Sequence, residues 1–308
     1  MSKKNVSILV NPQAGQGSGG TMASKVLQII SQRGDTGKIF TSKDKKDLEH
    51  LAKKVAGSNC DQLVVIGGDG TLNTVVNGLF ENGKALAPEL PLAIVPGGSG
   101  CDYFRGISQN RKKTWQEILL NYQTKKIDVA VTKFTGIEFK QRYFLNMTGI
   151  GLSAKIVEKK NKNPPWLPKD LSYVLPGITQ ILSYPGATVK VTTPTQTWDK
   201  LKVLAIFASK GPFAGGGMLL GPHANWHDAQ LAITMIENGP LLKKLWKFPK
   251  VINGKTSSEE SIHRIKAPWM EVSASPPLMV ECDGEIEGCT PLRIEVLPNA
   301  LTFCFPID

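Results

Sequence analysis

The stretch VVIGGDGTLNTVVNGL, residues 64–79, joins an apolar strand to an amphipathic helix through a glycine turn. Gly67, Gly68 and Gly70 carry no side chain at the point where the strand ends and the helix begins. Glycine lets the backbone approach a ligand closely, and the N–H groups at a helix start attract anions. A phosphate chain is therefore a natural ligand of this turn, although a tight turn between strand and helix also favours glycine for steric reasons alone.

The N-terminal part of the sequence alternates apolar strands with helical segments. The predicted strands are NVSILV, KIFT, QLVVIG and LAIVPGGSG, and the predicted helices cover about residues 21–33, 42–57 and 71–81. This alternation indicates parallel strands joined by crossover helices. Ligands of such open sheets bind at the carboxyl ends of the strands. Three glycine-rich loops of this chain follow predicted strands at that edge.

The pattern changes after about residue 128. Segments that alternate apolar and polar residues now follow one another between turns, among them IDVAVTKFTG, KQRYFLNMTGIG, LKVLAIFASK, LAITMIE, APWMEVSAS and LRIEVLP. A period of two is typical of half-exposed antiparallel strands. The sequence therefore predicts an α/β domain over residues 1–128 and a mostly antiparallel β domain over residues 129–294. Residues 295–308 are expected to return to the first domain.

Charge and cysteine content narrow the class of protein. The formal net charge of +11 favours polyanionic partners such as nucleotides, nucleic acids or an anionic membrane surface. RNP, KH and helix-turn-helix signatures are absent from the sequence, so no nucleic acid partner is expected. The five cysteines contain no C-x-x-C pair, which argues against a disulfide framework or a zinc site. The short apolar run near the N-terminus is interpreted as a first strand, and an intracellular protein is expected.

Five motifs occur in an order that resembles the diacylglycerol kinase catalytic family, notably its soluble bacterial lipid kinases. They are NPQAGQG, GGDGTLNTVVNGL, PGGSGCDYFRG, GGGMLLGPHA and ECDGE, and together they extend over almost the whole chain. The resemblance implies a nucleotide-binding α/β domain like those of NAD kinases and phosphofructokinases. A β-rich domain follows, and the active site is expected between the two. The patterns of P-loop and dinucleotide-binding enzymes do not occur.

The resemblance implies roles for individual residues. Asp283 of DGE matches the general base, which accepts the proton of an acceptor hydroxyl during phosphoryl transfer, and Glu285 is its acidic neighbour. The ATP contacts implied by the resemblance are Asn11, Gly15, Gly17, Thr41, Gly67, Gly68, Asp69, Gly70, Thr71, Gly98, Ser99 and Asp102. The implied Mg²⁺ ligands are Asp69, Asp102, Asp128 and Asp228. Turn capping is the alternative for these aspartates, since aspartate beside glycine is common in turns.

Two departures from the family pattern concern ligand binding. Cys101 replaces an amide in the loop that usually reads G-T-x-N-D-F, which puts nucleotide contacts from that position in doubt. In NWHDAQLAI, Asp228 is kept, but Ala229 and Ala232 stand where family members often have glycine and a second aspartate. The loss of one carboxylate weakens the structural Mg²⁺ site expected there.

Two basic segments predict contact with a membrane surface. Trp166, Trp246 and Phe248 lie among the lysines of NKNPPWLPKDLSYVLPG and LLKKLWKFPKV. Aromatic side chains interleaved with lysines suit a headgroup boundary, although a protein core flanked by a solvated basic face has the same pattern. Residues 171–189 carry no charge but include two Pro-Gly pairs, which favours a short amphipathic helix over a membrane span.

The sequence and the resemblance together predict a lipid kinase. It would transfer the γ-phosphate of ATP to a lipid hydroxyl, with diacylglycerol as the expected acceptor and Mg²⁺ as the essential ion. The alternatives are a kinase for a sphingoid base, ceramide, phosphatidylglycerol or NAD, and a non-catalytic lipid or nucleotide sensor. The expected location is the cytoplasm, with peripheral contact at the inner membrane face, and a homodimer is a candidate assembly.

Overall fold

The computed structural model describes residues 3–12, 19–97, 101–108, 113–136, 140–162, 180–181, 183–240, 253–254 and 261–307. The chain divides into two compact units. The first comprises Met1–Val129 and Pro298–Asp308, and the second comprises Ala130–Leu297. Nearly all of the two basic aromatic segments and most of the charge-free stretch singled out in the sequence lie outside the described residues.

The first unit is an α/β domain. Its strands are β1 (Asn5–Val10), β2 (Thr36–Thr41), β3 (Gln62–Gly67), β4 (Phe80–Glu81), β5 (Lys84–Ala85), β6 (Pro91–Pro96) and parts of β7 (Tyr122–Phe134) and β17 (Leu292–Pro306). Its helices are α1 (Gly19–Gln32), α2 (Lys45–Ala56), α3 (Asp69–Gly78), α4 (Asp102–Ser108) and α5 (Trp115–Leu120).

A parallel sheet forms the centre of this unit. Its strands follow the order β17, β6, β3, β1, β2, and each neighbouring pair is parallel. The apolar stripe of α1, including Val26 and Ile30, packs against Ile8 and Val64 of the sheet in one buried cluster. The α/β class predicted for the N-terminal part is confirmed.

The helix predicted over residues 71–81 ends three residues early. It stops at Gly78, and the next residues form the hairpin of β4 and β5. The hairpin turn consists of Asn82 and Gly83, whose φ angles are 50° and 82°. Two-residue hairpin turns favour Asn-Gly because both positions need a positive φ. The Asn-Gly pair was therefore the stronger signal at this point of the sequence.

The second unit is built mainly from β-strands. Besides the remaining parts of β7 and β17, its strands are β8 (Lys140–Phe144), β9 (Met147–Gly151), β10 (Ala187–Thr192), β11 (Thr197–Ser209), β12 (Leu231–Glu237), β13 (Ile262–Ala267), β14 (Trp269–Ala274), β15 (Met279–Cys282) and β16 (Glu285–Cys289). The helix α6 (Leu152–Asn161) follows β9.

Antiparallel pairing dominates this second unit, as predicted. The strand order is β16, β15, β9, β11, β10, β14, β17, while β12 pairs with β11 and β13, and β7 pairs with β8. Ile206, Ile233, Met235, Val272 and Ile294 share one buried cluster, to which several strands contribute alternate residues. The predicted class of a mostly antiparallel β domain is confirmed.

The segment KQRYFLNMTGIG was predicted as one strand but forms two. Strand β8 ends at Phe144 and β9 begins at Met147, so Leu145 and Asn146 lie between them. The backbone N–H groups of both residues donate to the side chain of Asp283 instead of to a neighbouring strand. A long-range polar contact therefore interrupts a pattern that is locally typical of a continuous strand.

No helix in the described part of the chain combines the length and apolar character needed to cross a membrane.

Close packing of α3 on α2 generates a stability prediction. A Cβ atom at Gly78 would lie 2.3 Å from the carbonyl oxygen of Glu49 and 2.9 Å from the Cβ of Ala52. We expect Gly78→Ala to lower the free energy of unfolding by about 1–3 kcal/mol, because the two helices must separate. Urea unfolding followed by circular dichroism measures the effect.

Gly20→Ala is the matched control, since Gly20 is also helical but no neighbouring atom lies within 4 Å of the place that a Cβ atom would take. This variant should be neutral or gain up to about 1 kcal/mol from helix propensity. Equal losses in the two variants would contradict the packing explanation.

Candidate active site

Several predicted nucleotide contacts of the first unit lie at the carboxyl ends of four parallel strands. Asn11 follows β1, Thr41 ends β2, Gly67 ends β3, and Gly97 follows β6. The N–H of Asn11 donates to the carbonyl of Ile66 at 3.4 Å, and the N–H of Gly97 donates to the carbonyl of Gly67 at 2.9 Å. Backbone hydrogen bonds thus tie Asn11 and Gly97, the residues directly after β1 and β6, to the end of β3.

Packing against Thr71 explains why residue 67 is glycine. A Cβ atom at Gly67 would lie 2.4 Å from the Cβ of Thr71 and 2.5 Å from its Oγ1. The same Thr71 hydroxyl accepts a hydrogen bond from the Asn11 side chain at 3.3 Å. Gly67 therefore lets α3 begin directly against the end of β3, whether or not a ligand is bound.

The start of α3 is the part of this turn suited to an anion. Gly68 is the N-cap residue with an extended backbone, and it has no side chain to accept the first N–H groups of the helix. Asp69, Gly70 and Thr71 form the first turn. The N–H groups of a first helical turn and the positive end of the helix dipole favour a phosphate at this position.

Asp69 joins the start of α3 to the start of α4. Its carboxylate accepts the N–H of Asp102 at 2.8 Å and the N–H of Tyr103 at 2.9 Å. Asp102 is buried and forms an ion pair with Arg105, with 3.6 Å between its Oδ1 and the arginine Nε. The structure therefore brings Asp69 and Asp102 together, as the predicted nucleotide side of the site requires.

Cys101 lies beside these carboxylates, with its Sγ 3.8 Å from Oδ1 of Asp69. Burial raises the pKa of Cys101 well above its ordinary value, and the negative charge of Asp69 raises it further. Cys101 is therefore a neutral thiol, and it forms weaker hydrogen bonds than the amide that the resemblance implies at this position.

The other predicted ligands of this unit are placed differently. Asp128 is 1% exposed, and its carboxylate accepts the N–H of Asn299 at 3.0 Å, which ties β7 to β17. Four predicted contacts lie outside the described residues, namely Gly15, Gly17, Gly98 and Ser99. No group of three or more histidine, cysteine, aspartate or glutamate residues that could hold a metal occurs in the described ranges.

In the second unit, the motif DGE forms the hairpin turn between β15 and β16. Asp283 and Gly284 have φ angles of 47° and 86°, as a two-residue type I′ turn requires. The Asp283 carboxylate accepts three backbone N–H groups, from Leu145 at 3.1 Å, Asn146 at 3.1 Å and Met147 at 3.0 Å. These bonds fix the direction of the carboxylate. Glu285 begins β16 directly after the turn.

Comparison with known proteins agrees with this arrangement. The model of the diacylglycerol kinase catalytic domain matches residues 5–132, and the model of the YegS C-terminal NAD kinase beta sandwich-like domain matches residues 146–305. The chain belongs to the diacylglycerol kinase catalytic-domain family. The predicted resemblance and the predicted NAD kinase-like fold are thereby confirmed.

Two relatives match most of the chain. The Bacillus subtilis (strain 168) protein named “Putative lipid kinase YtlR” is 28% identical over 304 residues, which covers 95% of this chain and 97% of that protein. “Putative lipid kinase SAS0691” of Staphylococcus aureus (strain MSSA476) is 27% identical over 270 residues, covering 83% of this chain and 81% of its own. These relatives support a kinase.

A crystal structure from Bacillus anthracis str. Sterne, described as a “putative diacylglycerol kinase”, superposes on this chain with a TM-score of 0.77. The two sequences are 26% identical, and the alignment covers 99% of this chain and 98% of the other. The fold of this lipid kinase family therefore extends through both units.

Glu281 is a buried acid beside the DGE turn that the sequence analysis missed. It is 5% exposed, and its Oε2 accepts the N–H of Gly284 at 2.9 Å. Its strand partner is Gly149, where a Cβ atom would lie 2.3 Å from the Glu281 carboxyl and 2.1 Å from the Ser153 hydroxyl. The available signal was an acidic residue inside the apolar run MVEC.

Burial keeps Glu281 protonated at neutral pH. Burial is the largest cause, and together with the negative charge of Asp283 it raises the pKa of Glu281 to about 8, against the opposite effects of the Gly284 N–H and of Lys160. At pH 7 the neutral carboxylic acid of Glu281 therefore lies close to Asp283, the candidate base.

Asp228 does not fit the predicted Mg²⁺ site. Two ammonium groups bind its carboxylate, Lys210 Nζ at 3.2 Å from Oδ1 and Lys266 Nζ at 2.9 Å from Oδ2, and the N–H of Gln230 donates to Oδ1 at 3.1 Å. Burial alone would raise the pKa of Asp228, but these hydrogen bonds and the positive charge of Lys210 hold it below its ordinary value. A divalent cation would face two lysine charges here.

The raised pKa of Glu281 predicts a pH-dependent stability. Between its ordinary value of 4.5 and the folded value of about 8, the unfolded carboxyl ionises while the folded one keeps its proton. Wild-type stability therefore falls across this window and levels off above pH 8. Glu281→Gln keeps an oxygen acceptor for the Gly284 N–H but cannot ionise. As the pH rises through this window, the free energy of unfolding of the variant should therefore increase by several kcal/mol relative to that of the wild type.

Urea unfolding of both proteins at pH 5 and pH 8.5 measures this difference. The pH dependence that other groups cause cancels in the comparison of variant with wild type. A variant whose stability relative to the wild type is the same at both pH values would show that Glu281 is not held protonated by the fold.

Proposed function

We propose that this protein transfers the γ-phosphate of ATP to a lipid hydroxyl, with diacylglycerol as the acceptor and phosphatidic acid as the product. The observation that carries the proposal is the Asp283 carboxylate, which three backbone N–H groups hold in a fixed direction within the family motif DGE. Membership in the diacylglycerol kinase catalytic-domain family supports the same reaction class.

The first unit would bind the nucleotide. The N–H groups at the start of α3, together with Asn11 and Thr41 at the ends of neighbouring strands, offer donors for phosphate oxygens. The glycine-rich segments 13–18 and 98–100 follow two of these strands in the sequence. Phosphoryl transfer depends mainly on positioning and charge stabilisation, and donors on a rigid sheet edge suit that requirement.

We propose Asp69 and Asp102 as the carboxylates that would bind a Mg²⁺ arriving with ATP. Mg²⁺ in kinase sites is usually held by one or two carboxylates and by substrate phosphates, so three protein carboxylates are not needed. The two aspartates are neighbours, since the carboxylate of one binds the N–H of the other. Magnesium would offset phosphate charge during transfer. Asp128, buried and bonded to Asn299, is left out of this proposed set.

Asp283 would accept the proton of the lipid hydroxyl, and Glu285 would contribute a second negative charge near the acceptor. General-base catalysis requires the carboxylate to be correctly placed before the substrate arrives. The three N–H donors of residues 145–147 supply that placement without a flexible side chain.

Asp283→Asn should abolish most phosphoryl transfer. We expect Mg²⁺-dependent transfer of radiolabelled γ-phosphate from ATP into diacylglycerol in mixed micelles, and a loss of more than about a hundredfold in the variant. The acceptor panel includes sphingosine, ceramide, phosphatidylglycerol and NAD, so the labelled product identifies the acceptor. Asp199→Asn, at an exposed position of β11, is the control and should retain full activity.

The variant's melting temperature is measured in parallel, because the amide must replace a carboxylate that binds three N–H groups. Full activity in a folded Asp283→Asn protein would refute the assigned base. ATP binding by the wild type without label in any acceptor would refute the kinase proposal and favour a nucleotide sensor.

We further propose that the enzyme reaches its lipid by peripheral contact with an anionic membrane surface. The net charge of +11 and the lysines around Trp166, Trp246 and Phe248 support this proposal. Amphipathic segments of this composition bind at the headgroup boundary, and each lysine near an anionic surface contributes about 1 kcal/mol.

Lys243→Ala combined with Lys244→Ala should weaken binding to vesicles that contain anionic phospholipid by roughly tenfold to thirtyfold. Vesicle co-sedimentation at low and high salt measures the affinity, which should fall as salt rises. The control, Lys46→Ala with Lys54→Ala, removes the same charge from exposed positions of α2. Equal effects of the two double variants would indicate only a general charge attraction.

A further inference from the structure

Lys210 is a fully buried lysine in the second unit, with 0% of its side chain exposed. Its Nζ donates to Oδ1 of Asp228 at 3.2 Å and to the carbonyl of Gln230 at 2.9 Å. A carboxylate and a backbone carbonyl are oxygen ligands of the kind that a hard divalent cation uses. Here these oxygens converge on an ammonium group.

The surroundings of Asp228 leave no suitable ligand set for a metal in the described part of the chain. Lys266 binds the other carboxylate oxygen at 2.9 Å, so two positive charges already face one negative charge. Ala229 of the loop and Ala232 of β12 offer no side-chain oxygen. A divalent ion would add two more positive charges to this arrangement.

The backbone of Lys210 also contacts the segment that holds Asp283. The N–H groups of Lys210 and Gly211 both donate to the carbonyl of Asn146, at 2.7 and 2.9 Å. From the same loop as Asp228, the indole N–H of Trp226 donates to the carbonyl of Leu145 at 2.9 Å. The N–H groups of Leu145 and Asn146 in turn donate to Asp283.

We propose that the Lys210 ammonium is a built-in counter-ion that replaces a divalent cation in the loop around Asp228, and that it positions the peptide segment which holds Asp283. Lys210 is thus a positioning residue that does not touch the substrate. The second half of the proposal rests on the proposed function, whereas the first half concerns only this loop.

Loss of the ammonium should destabilise the loop. Removing one member of a buried ion pair leaves the other charge uncompensated and is strongly destabilising, whereas removing both charges costs less. We therefore expect Lys210→Met to lower the melting temperature by roughly 6 °C or more. The double variant Lys210→Met with Asp228→Leu should recover part of this loss. Lys202→Met, at an exposed position of the same strand β11, is the control.

Metal dependence gives a separate test that needs no activity. Without nucleotide, the melting temperature of the wild type should be the same within about 1 °C in EDTA, Mg²⁺ or Ca²⁺. Lys210→Asp places a second carboxylate beside Asp228, so millimolar Mg²⁺ or Ca²⁺ should raise the melting temperature of this variant by several degrees.

Three results would overturn the counter-ion proposal. They are a wild type that EDTA destabilises by several degrees, a Lys210→Met protein as stable as Lys202→Met, and a Lys210→Asp protein that is indifferent to both metals. The wild-type measurement decides the metal question even if a variant fails to fold.

The positioning role is tested by phosphoryl transfer at a temperature where Lys210→Met is folded. We expect kcat to fall at least tenfold while KM for ATP stays within twofold, since the nucleotide contacts are assigned to the first unit. An unchanged kcat would refute the positioning role. If the wild type transfers no phosphate, the proposed function fails, whereas the metal and stability results still decide the counter-ion role.

Discussion

The hydrogen bonds of the peptide segment between β8 and β9 hold together the candidate catalytic part of the second unit. Its N–H groups donate to the Asp283 carboxylate. Its carbonyls accept hydrogen bonds from the N–H groups of Lys210 and Gly211 and from the indole N–H of Trp226. Buried backbone groups need such partners, so a shift of one member would cost the others their hydrogen bonds. The break in the strand is therefore the feature that lets three distant parts of the sequence meet.

Much of the fold could be predicted from the sequence, because apolar residues recur with one spacing in helices and with another in strands. Strands β1 and β3 and their crossover helices follow an α/β pattern, and β12 keeps the alternation of an antiparallel strand. The surroundings of Asp283 could not be predicted in this way. Glu281 and Lys210 are single charged residues in apolar segments, and local sequence does not indicate whether such residues are exposed or paired inside the protein.

The glycine turn after β3 illustrates how one residue type serves two physical requirements. Gly67 is needed because Thr71 occupies the space of a side chain, so the fold itself requires this glycine. Gly68 differs, because it leaves the first turn of α3 without a side-chain cap. The start of α3 is therefore the feature that favours a phosphate, whereas Gly67 reflects how closely strand and helix approach.

Glu281 and Lys210 are both buried and ionisable, and the fold accommodates them in different ways. Glu281 remains neutral because it is buried, and because its ionisation would place a second negative charge beside Asp283. Lys210 is instead bound by a carboxylate and a carbonyl, so its charge has local partners. Both arrangements give a buried polar group a partner, and without one its burial would be costly. They leave Asp283 with fixed donors on one side, and this geometry is what a general base requires of its surroundings.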